Sequence, residues 1–98
     1  MFGNLFKKVD YKQLIADGAV IIDFRSKGEC SSGAVPGSEN IPLPTLSLKM
    51  KQIKSLQVPI ICVCASGMRS GTAKVQLKAA GVEAYNGGPW TKMLTYVE

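Results

Sequence analysis

"IICVCASGMRSGTA", residues 60–73, decides how the chain is read. An apolar, partly β-branched run ends on a cysteine, passes through a turn holding a glycine and an arginine, and resumes with helical composition. The run is too short for a helix and suits a strand buried on both faces, as in a parallel sheet. The turn then lies beyond the carboxyl end of that strand, where open parallel sheets bind ligands. Unpaired N–H groups of the turn and of the first helical residues form a cradle for an anion there. Gly67 supplies backbone angles that other residues resist.

The same alternation extends in both directions. Upstream, "AVIIDF", residues 19–24, reads as a second buried strand. Ahead of it, Asp10 caps a short helix, Gln13 completes a capping box, and Tyr11, Leu14 and Ile15 form its buried side before Gly18 closes it. Residues 25–40 are rich in Gly and Ser and read as loop with one helical turn. "NIPLPTL" is extended because of its prolines, and Leu46, Met50, Ile53 and Leu56 then recur at helical spacing.

Downstream, residues 70–80 read as a helix with Ala73, Val75, Leu77 and Ala80 as apolar positions. "VEAY" follows as a short strand and "NGGP" as a turn, and residues 90–97 form a last helix with Pro89 at its first turn. Strands alternating with helices predict an α/β domain with a mainly parallel sheet and helices on both faces. A length of 98 residues suits one domain, 1–98.

Composition narrows the function. With 46% hydrophobic and 19% charged residues the chain is an ordinary globular sequence. The net charge of +5 is spread over Lys7, Lys8, Lys49, Lys51, Lys54 and others, with no basic stripe interleaved with aromatics, so no nucleic-acid partner is expected. The excess positive charge favours small anions instead. Three cysteines, Cys30, Cys62 and Cys64, are too few for a disulfide scaffold.

The opening "MFGNLFKKVDYKQ" has no apolar core of signal-peptide length, and no run approaches the ~20 apolar residues of a membrane span. The expectation is a cytoplasmic monomer with reduced thiols and no membrane contact. The absence of histidine removes Ser-His-Asp and Cys-His nucleophiles together with histidine metal sites. Cys62 and Cys64 in a C-x-C pair match C-x2-C zinc spacing poorly, so no metal is expected.

Cys64 is the first residue of the turn, so its sulfur would point into the cradle. N–H groups and the helix dipole stabilise a thiolate there without any histidine. Arg69 adds a forked, charged donor for an oxyanion. A structural cysteine at a strand end is the plainer alternative. The small, glycine-containing, arginine-bearing turn favours the reactive reading.

These residues resemble a single rhodanese-like (sulfurtransferase) domain over nearly the whole chain. "IIDFRSKGECSSGAVPGSENIPL" is similar to that family's first signature, "CASGMRS" to its active-site loop, and "NGGPW" to the stretch before its last helix. The resemblance implies a three-layer α/β/α sandwich around a central five-stranded sheet, and a cysteine that carries sulfane sulfur as a persulfide. Cys64 then matches the sulfur-accepting residue, and Ala65, Ser66, Gly67, Met68 and Arg69 match the persulfide-binding loop. Asp23 and Arg25 match the acidic-basic pair of the first signature, read here as structural support alongside Ser70. Family members often carry a histidine at the position of Ala34 and an aromatic at that of Cys30, which bears on substrate contacts and not on the loop.

The implied reaction needs no bound cofactor. The Cys64 thiolate takes sulfur from a small anionic donor such as thiosulfate, and cyanide, a thiol or a protein cysteine removes it. A cysteine-dependent phosphatase or arsenate reductase would use a similar cradle but needs C-x5-R spacing, and Cys64 to Arg69 is C-x4-R. A non-catalytic rhodanese-like interaction module is a third reading, set against it the retained cysteine. Cys62 should be packed within the sheet, since a C-x-C disulfide would be strained. Trp90 is expected in the core.

Overall fold

The apolar run at the centre of the sequence becomes the central strand, with all five of its residues buried. The computed structural model describes residues 8–97. In chain order these form α1 (Tyr11–Ala16), β1 (Val20–Asp23), α2 (Lys27–Ser31), β2 (Glu39–Asn40) and α3 (Leu46–Leu56). They continue as β3 (Ile60–Cys64), α4 (Met68–Ala79), β4 (Ala84–Pro89) and α5 (Trp90–Met93). Short 3-10 turns, Leu43–Thr45 and Leu94–Tyr96, precede α3 and follow α5.

The sheet order is β2-β1-β3-β4 and every pairing is parallel. Four strands are present among the described residues, where the family resemblance implied five. The chain from Lys8 to Asp10 joins no ladder; Asp10 instead turns its side chain onto the Gln13 N–H at 3.0 Å to start α1. That cap is only half of the expected capping box, because the Gln13 side chain donates to Asp17 and does not accept from the Asp10 N–H.

Alternation along β1 and β3 divides the apolar residues between two cores. Ile22, Ile60, Cys62 and Ala84 face α3 and α4, packing on Leu46, Ile53, Ala73 and Leu77. Ile21, Ile61 and Val63 face the other way, against Val35, Met93 and the partly buried Tyr11, Leu14, Ile15, Trp90 and Leu94. Helices therefore cover both faces, which makes the α/β/α layering. Each fully buried Ile or Leu contributes about 1.5–3 kcal/mol, so the strands β1 and β3 hold much of the stability.

Three boundaries differ from the sequence reading, each for a local reason. Helix α4 begins at Met68 rather than Ser70, because Gly67 at φ 101° serves as its N-cap. Val75 lies on the solvent side of α4, leaving Ala73 and Leu77 to face the sheet. "NGGP" is not a turn but the second half of β4, whose ladder with β3 continues through a bulge between Cys62 and Val63. Gly87 makes this possible: a Cβ there would stand 2.6 Å from Met93 Cε and 3.2 Å from the Cys62 carbonyl oxygen. The last helix is also shorter than expected, tightening to 3-10 after Met93.

Candidate active site

Strand β3 ends on Cys64, and the chain reverses through Ala65, Ser66 and Gly67 into α4. The reversal brings donors back onto the sulfur. The Gly67 N–H lies 3.0 Å from Cys64 Sγ, the Ser70 N–H 3.3 Å, and the Ser70 hydroxyl 3.3 Å. Cys64 is wholly buried, and burial alone pushes a thiol pKa up. Hydrogen bonds from the Ser70 side chain, the Ser70 N–H, the Gly67 N–H and the Ser66 N–H outweigh it, so the thiol is held below its ordinary value.

Ser70 is itself oriented from β4. Its hydroxyl lies 2.7 Å from Asn86 Oδ1, so its single proton serves either that oxygen or the Cys64 thiolate, and the Gly88 N–H donates to the same asparagine oxygen at 3.0 Å. The Asn86 amide nitrogen donates in turn to the Gly67 carbonyl at 3.1 Å. Tyr11 of α1 closes the set by donating its hydroxyl to the Asn86 carbonyl at 3.0 Å. One asparagine thus ties the loop, the helix start and the edge strand together. Gly71 leaves room for it, since a Cβ there would approach Asn86 Nδ2 to 3.1 Å. Nothing in the sequence spacing points to Asn86, because its place depends on the bulge that resets the register of β4.

Asp23 and Arg25 come together as a buried pair whose hydrogen bonds go to each other and to α2 and the residue after it. Arg25 Nη2 meets Asp23 Oδ2 at 2.7 Å, and Arg25 Nε lies 3.1 and 3.0 Å from the two carboxylate oxygens. Both are buried, and the hydrogen bond to Asp23 raises the arginine pKa. The remaining guanidinium donors hold the Gly33 carbonyl at 2.7 Å and the Glu29 carbonyl at 3.4 Å, tying down α2 and the residue just past its cap. Trp90 lies under this guanidinium, 4.5 Å from ring centroid to Cζ, and packs on the core as expected.

Arg69 does not turn toward the sulfur. Its two terminal nitrogens bond both carboxylate oxygens of Glu29, at 2.7 and 2.9 Å. The hydrogen bond with Arg69, aided by those from Ser26, holds the Glu29 carboxyl at a pKa of about 2. The sequence carried half of this contact: Ser26-x-x-Glu29 is a capping box, and both of its bonds are made. The other half crosses 40 residues and is invisible to local pattern.

The remaining cysteines differ in kind. Cys62 is fully buried in the α3/α4 core, and burial pushes its thiol up to about 12. Cys30 is half-buried on α2, where burial again raises the thiol pKa. Ala65, Ser66 and Met68 form the outer wall of the loop and are exposed. Clefts are also present away from Cys64. One of about 340 Å³, lined by Ile53, Val58, Pro59 and Val82 among others, sits at the amino end of β3, the far end of the strand from Cys64.

The arrangement described here stabilises a single anionic sulfur at the carboxyl end of a parallel strand. The family model for the rhodanese-like domain matches residues 8–89, which includes every residue of that arrangement. The chain belongs to the rhodanese-like family. This rhodanese-like domain is 35% identical over 69 residues to the uncharacterized protein YqhL of Bacillus subtilis. That match covers 69% of the chain and 54% of YqhL, so the chain spans about half the length of that relative.

Among solved structures, the human single-domain sulfurtransferase TSTD1 superposes with a TM-score of 0.69 at 23% identity, covering 88% of this chain and 90% of that one. A Rhodopseudomonas palustris protein of unknown function, described as a possible tyrosine phosphatase, gives a TM-score of 0.67 at 27% identity, covering 81% and 70%. Fold likeness alone leaves the chemistry to the site.

Proposed function

We propose that this rhodanese-like domain is a sulfurtransferase that moves sulfane sulfur through a persulfide on Cys64. One observation carries the reading: a buried sulfur at the end of β3 receives the Gly67 and Ser70 N–H groups and the Ser70 hydroxyl, and no histidine is needed to ionise it. The thiolate attacks the outer sulfur of thiosulfate, the S–S bond of the donor breaks, and sulfite leaves with the bonding pair. Cys64–S–S⁻ then passes its terminal sulfur to cyanide, a thiol or a protein cysteine and returns to the thiolate.

The donors that face Cys64 Sγ are suited to the persulfide anion as well. Cys64 itself is buried, and the exposed Ala65, Ser66 and Met68 are the loop residues a donor meets first. Asp23 and Arg25 support the site by holding α2, and Ser70 supports it directly. No cofactor is required for the exchange. A small anion as donor and a monomer acting in the cytoplasm complete the reading.

The C-x4-R loop speaks for sulfur over phosphate. Arg69 is taken up by Glu29 and is not folded over an oxyanion. Intact-mass measurement after incubation with thiosulfate tests the proposal. A gain of one sulfur that maps to Cys64 and vanishes in Cys64→Ser supports it. No gain, or a gain at Cys30 or Cys62, overturns it, as does turnover of an aryl phosphate faster than of thiosulfate.

A further inference from the structure

The Glu29–Arg69 pair has no part in the sulfur-transfer scheme, yet it decides what charge the loop presents. Arg69 is the loop's one cation, and it immediately precedes Ser70, whose N–H and hydroxyl both contact the Cys64 sulfur. Its guanidinium spends two nitrogens on one carboxylate. The hydrogen bond to Glu29 raises the Arg69 pKa, and the Cys64 charge adds a smaller contribution in the same direction.

Glu29 is held in place from two sides. Its carboxylate closes the α2 capping box on the Ser26 N–H at 2.9 Å, and its carbonyl sits on the buried Arg25. The pair is also open to solvent, with side chains 38% and 39% exposed, so an arriving ligand can compete for it.

We infer that Glu29 sets anion selectivity at Cys64 by neutralising Arg69. A dianion approaching the sulfur finds its natural partner already engaged. Donors of low charge, such as the persulfide of a small thiol, are then taken ahead of thiosulfate. The choice of donor rests on reading Cys64 as the sulfur-accepting nucleophile; the control of anions at Cys64 does not. Glu29 acts through Arg69 and is a positioning residue.

Glu29→Gln separates charge from structure, because the amide oxygen still accepts from Ser26 and keeps the cap. In this variant kcat/KM for thiosulfate rises about fivefold through a lower KM, while turnover of cysteine persulfide changes less than about twofold. The ratio of iodoacetate to iodoacetamide alkylation rates, read at Cys64 by peptide mass, rises by a similar factor and falls back at about 1 M salt. In an Arg69→Gln background the Glu29 substitution raises both quantities by clearly less, because it removes a lone carboxylate and frees no cation. Arg69→Gln alone lowers thiosulfate use by no more than Glu29→Gln raises it, since it removes no free cation and only leaves the Glu29 carboxylate unpaired.

An unchanged alkylation ratio in Glu29→Gln, or a ratio that rises equally without Arg69, overturns the inference even if sulfur loading is normal. A large loss of thiosulfate use in Arg69→Gln overturns it too, and this variant suffices should Glu29→Gln fail to fold. If no donor loads sulfur in any variant but the ratio rises as expected, sulfur transfer is refuted and Glu29's control of anions at Cys64 is upheld.

Discussion

Cys62 and Cys64 sit two residues apart on one face of one strand, and both are fully buried. Their thiols nevertheless move in opposite directions, Cys62 up to about 12 and Cys64 below its ordinary value. Burial is common to both, so burial is not what makes a cysteine reactive. The difference is the turn. At Cys62 the neighbouring N–H groups belong to the sheet ladder, and apolar side chains surround the sulfur. At Cys64 the ladder ends, and N–H groups without partners in the sheet converge on the sulfur.

The contrast can be broken most forcefully at Cys64 itself. Cys64→Ser should lower sulfur-transfer turnover on the order of 10³-fold or more, while Cys62→Ala leaves it within about twofold. Steady-state assays with thiosulfate and cyanide measure both. Comparable losses in the two variants would undo the distinction.

A second attack comes from the neighbouring strand. Gly87→Ala places a methyl against Met93, Ile61 and the Cys62 carbonyl, and should destabilise the domain by about 1–3 kcal/mol in urea unfolding. A variant as stable as the parent would mean that β4 has slack at its bulge.

Ser70→Ala sharpens the comparison, removing one donor from Cys64 and none from Cys62. The pH midpoint of iodoacetamide alkylation at Cys64 should move up by about one unit, corresponding to the loss of a single hydrogen bond. No movement would assign the thiolate to the backbone N–H groups alone.

Around neutral pH the effect on stability is small, and the two cysteines have opposite signs. Cys64 is depressed in the folded state, so below the unfolded value of about 8.5 the unfolded chain binds more protons and stability rises with pH. Cys62 keeps its proton when folded, so above about 8.5 the unfolded chain binds fewer and stability falls as pH climbs toward 12. Urea midpoints across this range should lose their rising part in Cys64→Ser and part of their alkaline decline in Cys62→Ala.

How much of this could be read in advance depended on the range of the interactions. β1, β3 and α3 declare themselves through apolar runs and helical spacing, because burial is written residue by residue. The turn at Cys64 was legible for the same reason: a strand, a glycine and a helix follow one another directly. The start of α4 was misplaced by two residues because the capping glycine, not the first polar residue, sets it. Asn86 and Glu29 escaped because each acts across the fold, on Gly67 and Ser70 in one case and on Arg69 in the other. β4 was cut short since "NGGP" has turn composition, and only packing against Met93 and Ile61 explains glycine inside a strand.

The close approach of Gly67 to Gly88 has a consequence for the loop lengths open to such a sequence. A Cβ on Gly67 would come within 3.4 Å of Gly88 Cα, so the loop is measured against the backbone of β4. A fifth residue between Cys64 and Arg69 would bring the loop onto that strand at its bulge, where Asn86 and Gly88 are bonded together. Loop length on this fold is thus coupled to the path of β4 as well as to the anion the loop holds.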